Sequence, residues 1–193
     1  MSIAEHHDRF WSWTTAAITA VAVASYLATL HFMGRIPWAA TGFGFWTSQA
    51  DGPLTSQTFA DPYSLSHILH GLIFYYALYL LLQKVPLRWR FFIAIMLELS
   101  WEILENTPFI IGKYRSETMS HDYRGDTMVN SFGDVSFMVF GFWLASRMSW
   151  KWAIALFVFL ELGMLVTIRD NLTLNIIMLI HPFPSILQWQ AGR

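Results

Sequence analysis

With 193 residues, 55% of them hydrophobic and 13% charged, the chain falls well below the roughly 25% charge of an ordinary soluble domain, so a bilayer is its expected solvent. A net charge of −1 and the lack of any nucleic-acid motif speak against a nucleic-acid partner. The absence of cysteine excludes disulfides, thiolate metal sites and cysteine nucleophiles.

The pattern predicts one all-α integral membrane domain over residues 1–193, a polytopic bundle of about five spans plus a short C-terminal segment. Residues 1–10 read as a polar cytoplasmic tail in which His6 and His7 could also meet a metal. A first span covers 11–33, too long in its apolar core for a signal peptide. Residues 35–62 form a long loop punctuated by Gly and Pro but rich in Trp and Phe, which suggests an ordered interfacial segment. Asp61-Pro62 stops the loop, and a second span runs over 64–84 with Ser64 as its N-cap. A third occupies 89–111, loosened near its end by Pro108. A polar loop over 112–127 leads to a fourth span at 128–148 and a fifth at 152–169. The tail, 172–187, is apolar but interrupted by Asn, His and Pro, and reads as an interfacial or re-entrant helix.

The stretch 98–106, ELSWEILEN, organises the rest. Glu98, Glu102 and Glu105 stand at i, i+4, i+7, so a helix stacks them on one stripe. A carboxylate at bilayer depth costs roughly 2.5–3.5 kcal/mol on insertion scales, so this stripe must face protein, water, a proton or a cation.

The short turns around 84–90 and 147–151 are purely basic, which places them and the N-terminus in the cytoplasm. His67, His70, the glutamate stripe, His121, Asp126, Asn130, Asp134 and Arg169 then all fall toward the opposite, non-cytoplasmic face, beneath the aromatic loop. His31 and His181 belong to that side as well. One shared polar cavity explains the segregation.

His67 and His70 lie one turn apart and, with Glu102, could ligate a divalent metal such as zinc; the alternative is a buried hydrogen-bonded network. Glu98, Glu102, Glu105, Asp134 and Asn130 are the candidate catalytic set, with Glu102 as base and Asp134 and Asn130 as orienting partners. Arg169, Asp126 and His121 are candidates for holding substrate, although Asp126 also suits a helix cap and Arg169 a partnership with Glu161 or Asp170.

SQTFADPYSLSHILHGLIFYY at 56–76, ELSWEILENTPFII at 98–111, GDTMVNSFGDV at 125–135 and IRDNLTLNIIMLIHP at 168–182 resemble uncharacterised protein family 0314. That is a group of small multi-pass bacterial inner-membrane proteins. The resemblance implies a bacterial cell-membrane location and carries over no activity.

The residues themselves favour a membrane enzyme, a hydrolase or transferase acting on a lipid or lipid-linked substrate at the non-cytoplasmic face. Two alternatives stand beside it, a small proton-coupled transporter and a scaffold or assembly factor of a membrane complex.

Overall fold

The structure, a computed structural model, describes residues 10–192, and among them every regular element is an α-helix. The tail residues His6 and His7 lie outside the described residues. Helix α1 (Trp13–Phe32) begins at Ser12, which forms a capping box with Thr15. The loop that follows is ordered, as its aromatic content suggested, and it pairs Trp46 with Ala60 through an isolated bridge. Its carbonyls also serve another helix. Thr127, Met128 and Val129, at the start of α5 (Met128–Ala145), donate their amides to Ser56, Ile36 and Pro37. The loop thus satisfies donors that a helix start leaves orphaned.

Helix α2 (Ser64–Leu81) differs from expectation at its first residue. Tyr63, not Ser64, occupies the N-cap and makes no side-chain cap bond. Asp61 takes over that work, its carboxylate accepting the amides of Tyr63 and Ser56 at 2.8 Å each. Ser64 is thereby released to bond inward.

Helix α3 (Leu87–Glu105) ends earlier than the expected 111. Pro108 disfavours a helical conformation in the residue before it, and Thr107 is extended with ψ 151°. The chain restarts at once as α4 (Pro108–Glu117), where a proline in the first turn costs no hydrogen bond and Thr107 accepts the Ile110 amide as N-cap. Part of the expected 112–127 loop is therefore helical.

Helix α6 (Trp150–Ile168) ends on Arg169 in the left-handed region, φ 55°. The tail is two short helices, α7 (Leu172–Ile180) and α8 (Pro184–Gln190), where one was expected. Pro184 starts the second by the same rule as Pro108. A helix of this length, 9 residues, rises only about 13.5 Å, less than half of a bilayer core, so α7 does not span.

Helices α1, α2, α5 and α6 are long and apolar enough to cross a membrane. Helix α3 matches them in length at 19 residues but carries Arg88, Arg90 and the three glutamates. It packs against α1, α2 and α5, which turns Glu98 and Glu102 into protein. The central pair is α2 and α5. Their backbones touch at two glycines: a Cβ on Gly71 would collide with the Met138 carbonyl, and one on Gly141 with that of Ile68. Small residues allow this approach where lipid offers no hydrophobic drive for helix association.

Below the crossing, the interior is mostly apolar: Leu72, Tyr75, Leu78, Phe91, Ala94, Ile95, Met138 and Phe142 are all buried, and buried Arg90 lies over the Tyr79 ring toward the far end. The outward faces of α1 and α6 expose Val21, Phe159, Leu162 and Val166, as a lipid-facing surface requires. Exposed Trp residues cluster at both ends, with Trp13, Trp150 and Trp152 at one and Trp38, Trp46 and Trp189 at the other. This is the belt arrangement.

Candidate metal centre

Three helices bring their polar residues to one end of the bundle. His67 lies near the start of α2, Glu102 near the end of α3, and Asp134 in the second turn of α5. At 1.5 Å per residue these positions lie roughly 5–9 Å below the helix ends. All three are buried. Their ligand-type atoms lie within 4.8 Å of one another, close enough for a single cation.

The tautomer of His67 follows from its neighbours. Glu98 Oε1 accepts a hydrogen bond from His67 Nδ1 at 2.6 Å, which leaves Nε2 directed toward Asp134 Oδ1, 3.8 Å away. A carboxylate behind a histidine is the usual support of a metal-binding imidazole, since it fixes the ring and raises its basicity. His70, one turn on, donates through Nδ1 to the same Glu98 at 3.1 Å. Glu98 is thus held by both histidines and, at 0% exposure, is enclosed by them.

Asp134 is steadied from the loop side. Ser64 Oγ donates to it at 3.2 Å and itself accepts the Asp61 amide at 3.1 Å. Glu102 is different. It is 0% exposed, and both of its carboxylate oxygens are buried without a hydrogen-bond partner among the described residues. Buried polar groups are almost always satisfied, and an orphaned carboxylate costs several kcal/mol. His67 Nδ1 is its nearest ion-pair contact, at 3.6 Å, and that nitrogen is already engaged with Glu98. The donor set suits a divalent cation: imidazole with carboxylates takes zinc, manganese or iron, and three protein ligands leave coordination positions open.

A family model, described as protein of unknown function DUF2585, matches residues 30–192, a span that includes every residue of this centre. A UPF0314 protein of Rhizobium etli strain CIAT 652 is 42% identical over 190 residues, covering 98% of this chain and 97% of its own. The chain belongs to the UPF0314 family. UPF0314 proteins of Sphingopyxis alaskensis, 46% identical over 91% of this chain and 94% of theirs, and of Brucella anthropi, 41% over 93% and 92%, extend the likeness. No solved structure matches.

In this UPF0314 chain further polar residues adjoin the centre. Glu105 and Asp126 reach within the same 4.8 Å limit of Glu102. Asp126 is locked by Asn106, which donates Nδ2 to Asp126 Oδ2 at 2.6 Å and accepts its amide at 2.8 Å, and by the Tyr123 hydroxyl at 2.9 Å. Burial raises the Asp126 carboxyl above its ordinary range, against the pull of those bonds, and burial likewise raises Asp61. Tyr123 is raised by burial and then by the charge of Asp126 beside it.

Several residues that the sequence points to lie elsewhere. Asn130 donates to the Thr58 carbonyl at 2.8 Å and so pins the long loop to α5. His121 is exposed and its Nδ1 bonds the Arg115 carbonyl. Arg169 caps α6 and donates to the Trp189 carbonyl at 3.1 Å, bracing α8. The partners expected for it are engaged otherwise. Glu161 accepts the amides of Leu172 and Thr173 and caps α7, and Asp170 accepts the Asn171 amide and the Tyr63 hydroxyl. His31 and His181 are exposed and contribute nothing to the centre. The supporting roles of Ser64, Asp61, Asn106 and Tyr123 escape a reading of the sequence. Asn106 stands four residues after Glu102, on the same stripe, and that spacing was the available signal.

Proposed function

We propose that this UPF0314 protein is a metal-dependent enzyme of the bacterial inner membrane that hydrolyses, or transfers a group from, a lipid or lipid-linked substrate at the non-cytoplasmic face. The observation that carries the reading is Glu102, a buried carboxylate beside His67 and Asp134 whose two oxygens accept no hydrogen bond among the described residues. A cation held there would have positions left for water and for a substrate oxygen. It would polarise the substrate and bring bound water toward a pKa of about 7. In hydrolysis the water oxygen bonds to the acyl carbon or phosphorus, the ester bond to the leaving oxygen breaks, and that oxygen takes up a proton.

The position of the centre supports a lipid-derived substrate. It sits a few ångströms below the helix ends, beneath a loop that exposes Trp38, Phe43, Phe45 and Trp46, side chains suited to a membrane–water interface. The basic turns at 84–90 and 147–151 support a cytoplasmic placement of the opposite end. The largely apolar packing from Leu72 to Leu78 and from Phe91 to Ile95 favours an enzyme over a carrier, because no buried histidine or carboxylate continues the polar cluster past the glycine crossing among the described residues.

The test is turnover of a bacterial lipid extract by the purified chain in detergent, with added Zn²⁺ or Mn²⁺, read by mass spectrometry. Cation-dependent product that falls on the order of a hundredfold or more in Glu102→Gln and Asp134→Asn is the expected result. Equal product from Glu102→Gln, or no lipid consumed with either cation, contradicts it.

A further inference from the structure

The centre has more carboxylates than one cation needs. Glu98, Glu102, Glu105, Asp126 and Asp134 crowd one end of the bundle, and the ion pairs that Glu98, Glu102 and Asp134 make are with the imidazoles of His67 and His70. Glu102 belongs to two clusters at once. One is His67–Glu102–Asp134, and the other is Glu102–Glu105–Asp126, each with ligand-type atoms within 4.8 Å. Both Glu102 oxygens are buried and accept no hydrogen bond among the described residues, so each cluster has an oxygen available to it.

We infer that the pocket holds a second divalent cation, bound through oxygen alone by Glu102, Glu105 and Asp126, with the Glu102 carboxylate bridging it to the cation at His67 and Asp134. This rests on the first cation position proposed above. The two positions differ in chemistry. The first includes an imidazole and suits a borderline metal, whereas the second offers only carboxylates and suits a hard cation such as Mg²⁺, Mn²⁺ or Ca²⁺.

Support behind the ligands follows the same logic at both positions. Glu98 orients His67. Asn106 and Tyr123 orient Asp126 at 2.6 Å and 2.9 Å, leaving the carboxylate further lone pairs for a metal. Glu105 and Glu102 are three apart on α3, so both project from one face of the helix. The break at Asn106 and Thr107 ends α3 directly after Glu105 and returns the chain toward Asp126 through the Asn106 side chain.

Mn²⁺ separates the outcomes, because two ions bridged by a carboxylate give an exchange-coupled electron paramagnetic resonance spectrum and an isolated ion does not. The full chain in detergent is stripped with chelator, dialysed and titrated with Mn²⁺, and bound metal per chain is measured beside the spectrum. Two Mn²⁺ per chain with a coupled spectrum are expected. Glu105→Gln and, independently, Asp126→Asn should each leave one uncoupled Mn²⁺, both variants being checked for fold by gel filtration and circular dichroism. One Mn²⁺ in the wild type, unchanged in both variants but lost in His67→Ala, overturns the second position and leaves the first standing. Two Mn²⁺ that survive both variants also overturn it. No Mn²⁺ bound in the wild type removes both positions.

Discussion

Glu98 accepts a 2.6 Å hydrogen bond from His67 Nδ1, and the Nε2 of the same ring is left 3.8 Å from Asp134. One carboxylate on α3 thereby decides which nitrogen of a histidine on α2 is left without a proton on the side of Asp134. Glu98 acts through His67 without belonging to the His67–Glu102–Asp134 set. Replacing it with Gln keeps the shape but reverses part of its hydrogen bonding. Cation affinity should fall roughly 10–100-fold, as it does when such supporting partners are changed elsewhere. Competition against a fluorescent chelator measures this, and unchanged affinity in folded Glu98→Gln contradicts it.

The glycine crossing makes a stability prediction. Gly71→Leu places side-chain atoms against the Met138 carbonyl, which is backbone and cannot swing away. Overpacking of this kind costs about 1–3 kcal/mol or more. A Cβ added to Gly163 in α6 would meet nothing within 4 Å, so Gly163→Ala should be neutral or slightly stabilising. Thermal melts in one detergent compare the two. Equal melting temperatures for wild type and Gly71→Leu contradict the crossing.

Asn130 separates a structural role from a catalytic one. Its side chain supports the long loop through Thr58, and Asn130→Ala leaves that buried carbonyl unpaired at a cost of about 1–3 kcal/mol. Protease cleavage within residues 35–62 should therefore accelerate while cation content stays at the wild-type level. Loss of the cation with an intact loop contradicts this assignment.

Asp170 gives a pH dependence outside the spans. Burial pushes its carboxyl from 3.8 up to about 6, despite hydrogen bonds from the Asn171 amide at 2.9 Å and the Tyr63 hydroxyl at 3.2 Å. A raised folded-state pKa stabilises the protein fully below the unfolded value and loses that contribution as pH rises through the folded one. The window is therefore about pH 4 to 6. The effect is at most about 3 kcal/mol. Asp170→Asn, which cannot ionise, should gain melting temperature relative to wild type as pH rises through that window. A difference that stays constant with pH contradicts the assignment.

The helical plan was legible because its signals are local. Apolar runs of about twenty residues, basic turns and the i, i+4, i+7 glutamates each need only a few neighbouring positions to be read. The convergence of His67, Glu102 and Asp134 was also within reach, because topology alone puts all three at one end. Partner choice was not. Whether Glu98 would bind a histidine, and whether Glu161 would meet a cation or the amides of α7, depends on helix rotation that no short stretch encodes. Pro108 carried an ambiguous message, since the same residue can kink a helix or begin one. Thr107 just before it, a good N-cap, was the clue that favoured a new start. Arg169 and His121 fall toward the same end of the bundle but donate to or contact backbone carbonyls, showing that a shared end is a weaker constraint than a shared site.

The proposed chemistry stands or falls on a divalent cation between His67, Glu102 and Asp134. Metal content decides it, measured by mass spectrometry on protein purified in detergent without chelator, beside folded His67→Ala and Glu102→Ala variants. At least one transition-metal or Mg²⁺ ion per wild-type chain is expected, with loss from the His67–Glu102–Asp134 position in both variants. Metal-free wild-type protein that also fails to take up added Zn²⁺ or Mn²⁺, or a metal content unaffected by both substitutions, rules the cation out.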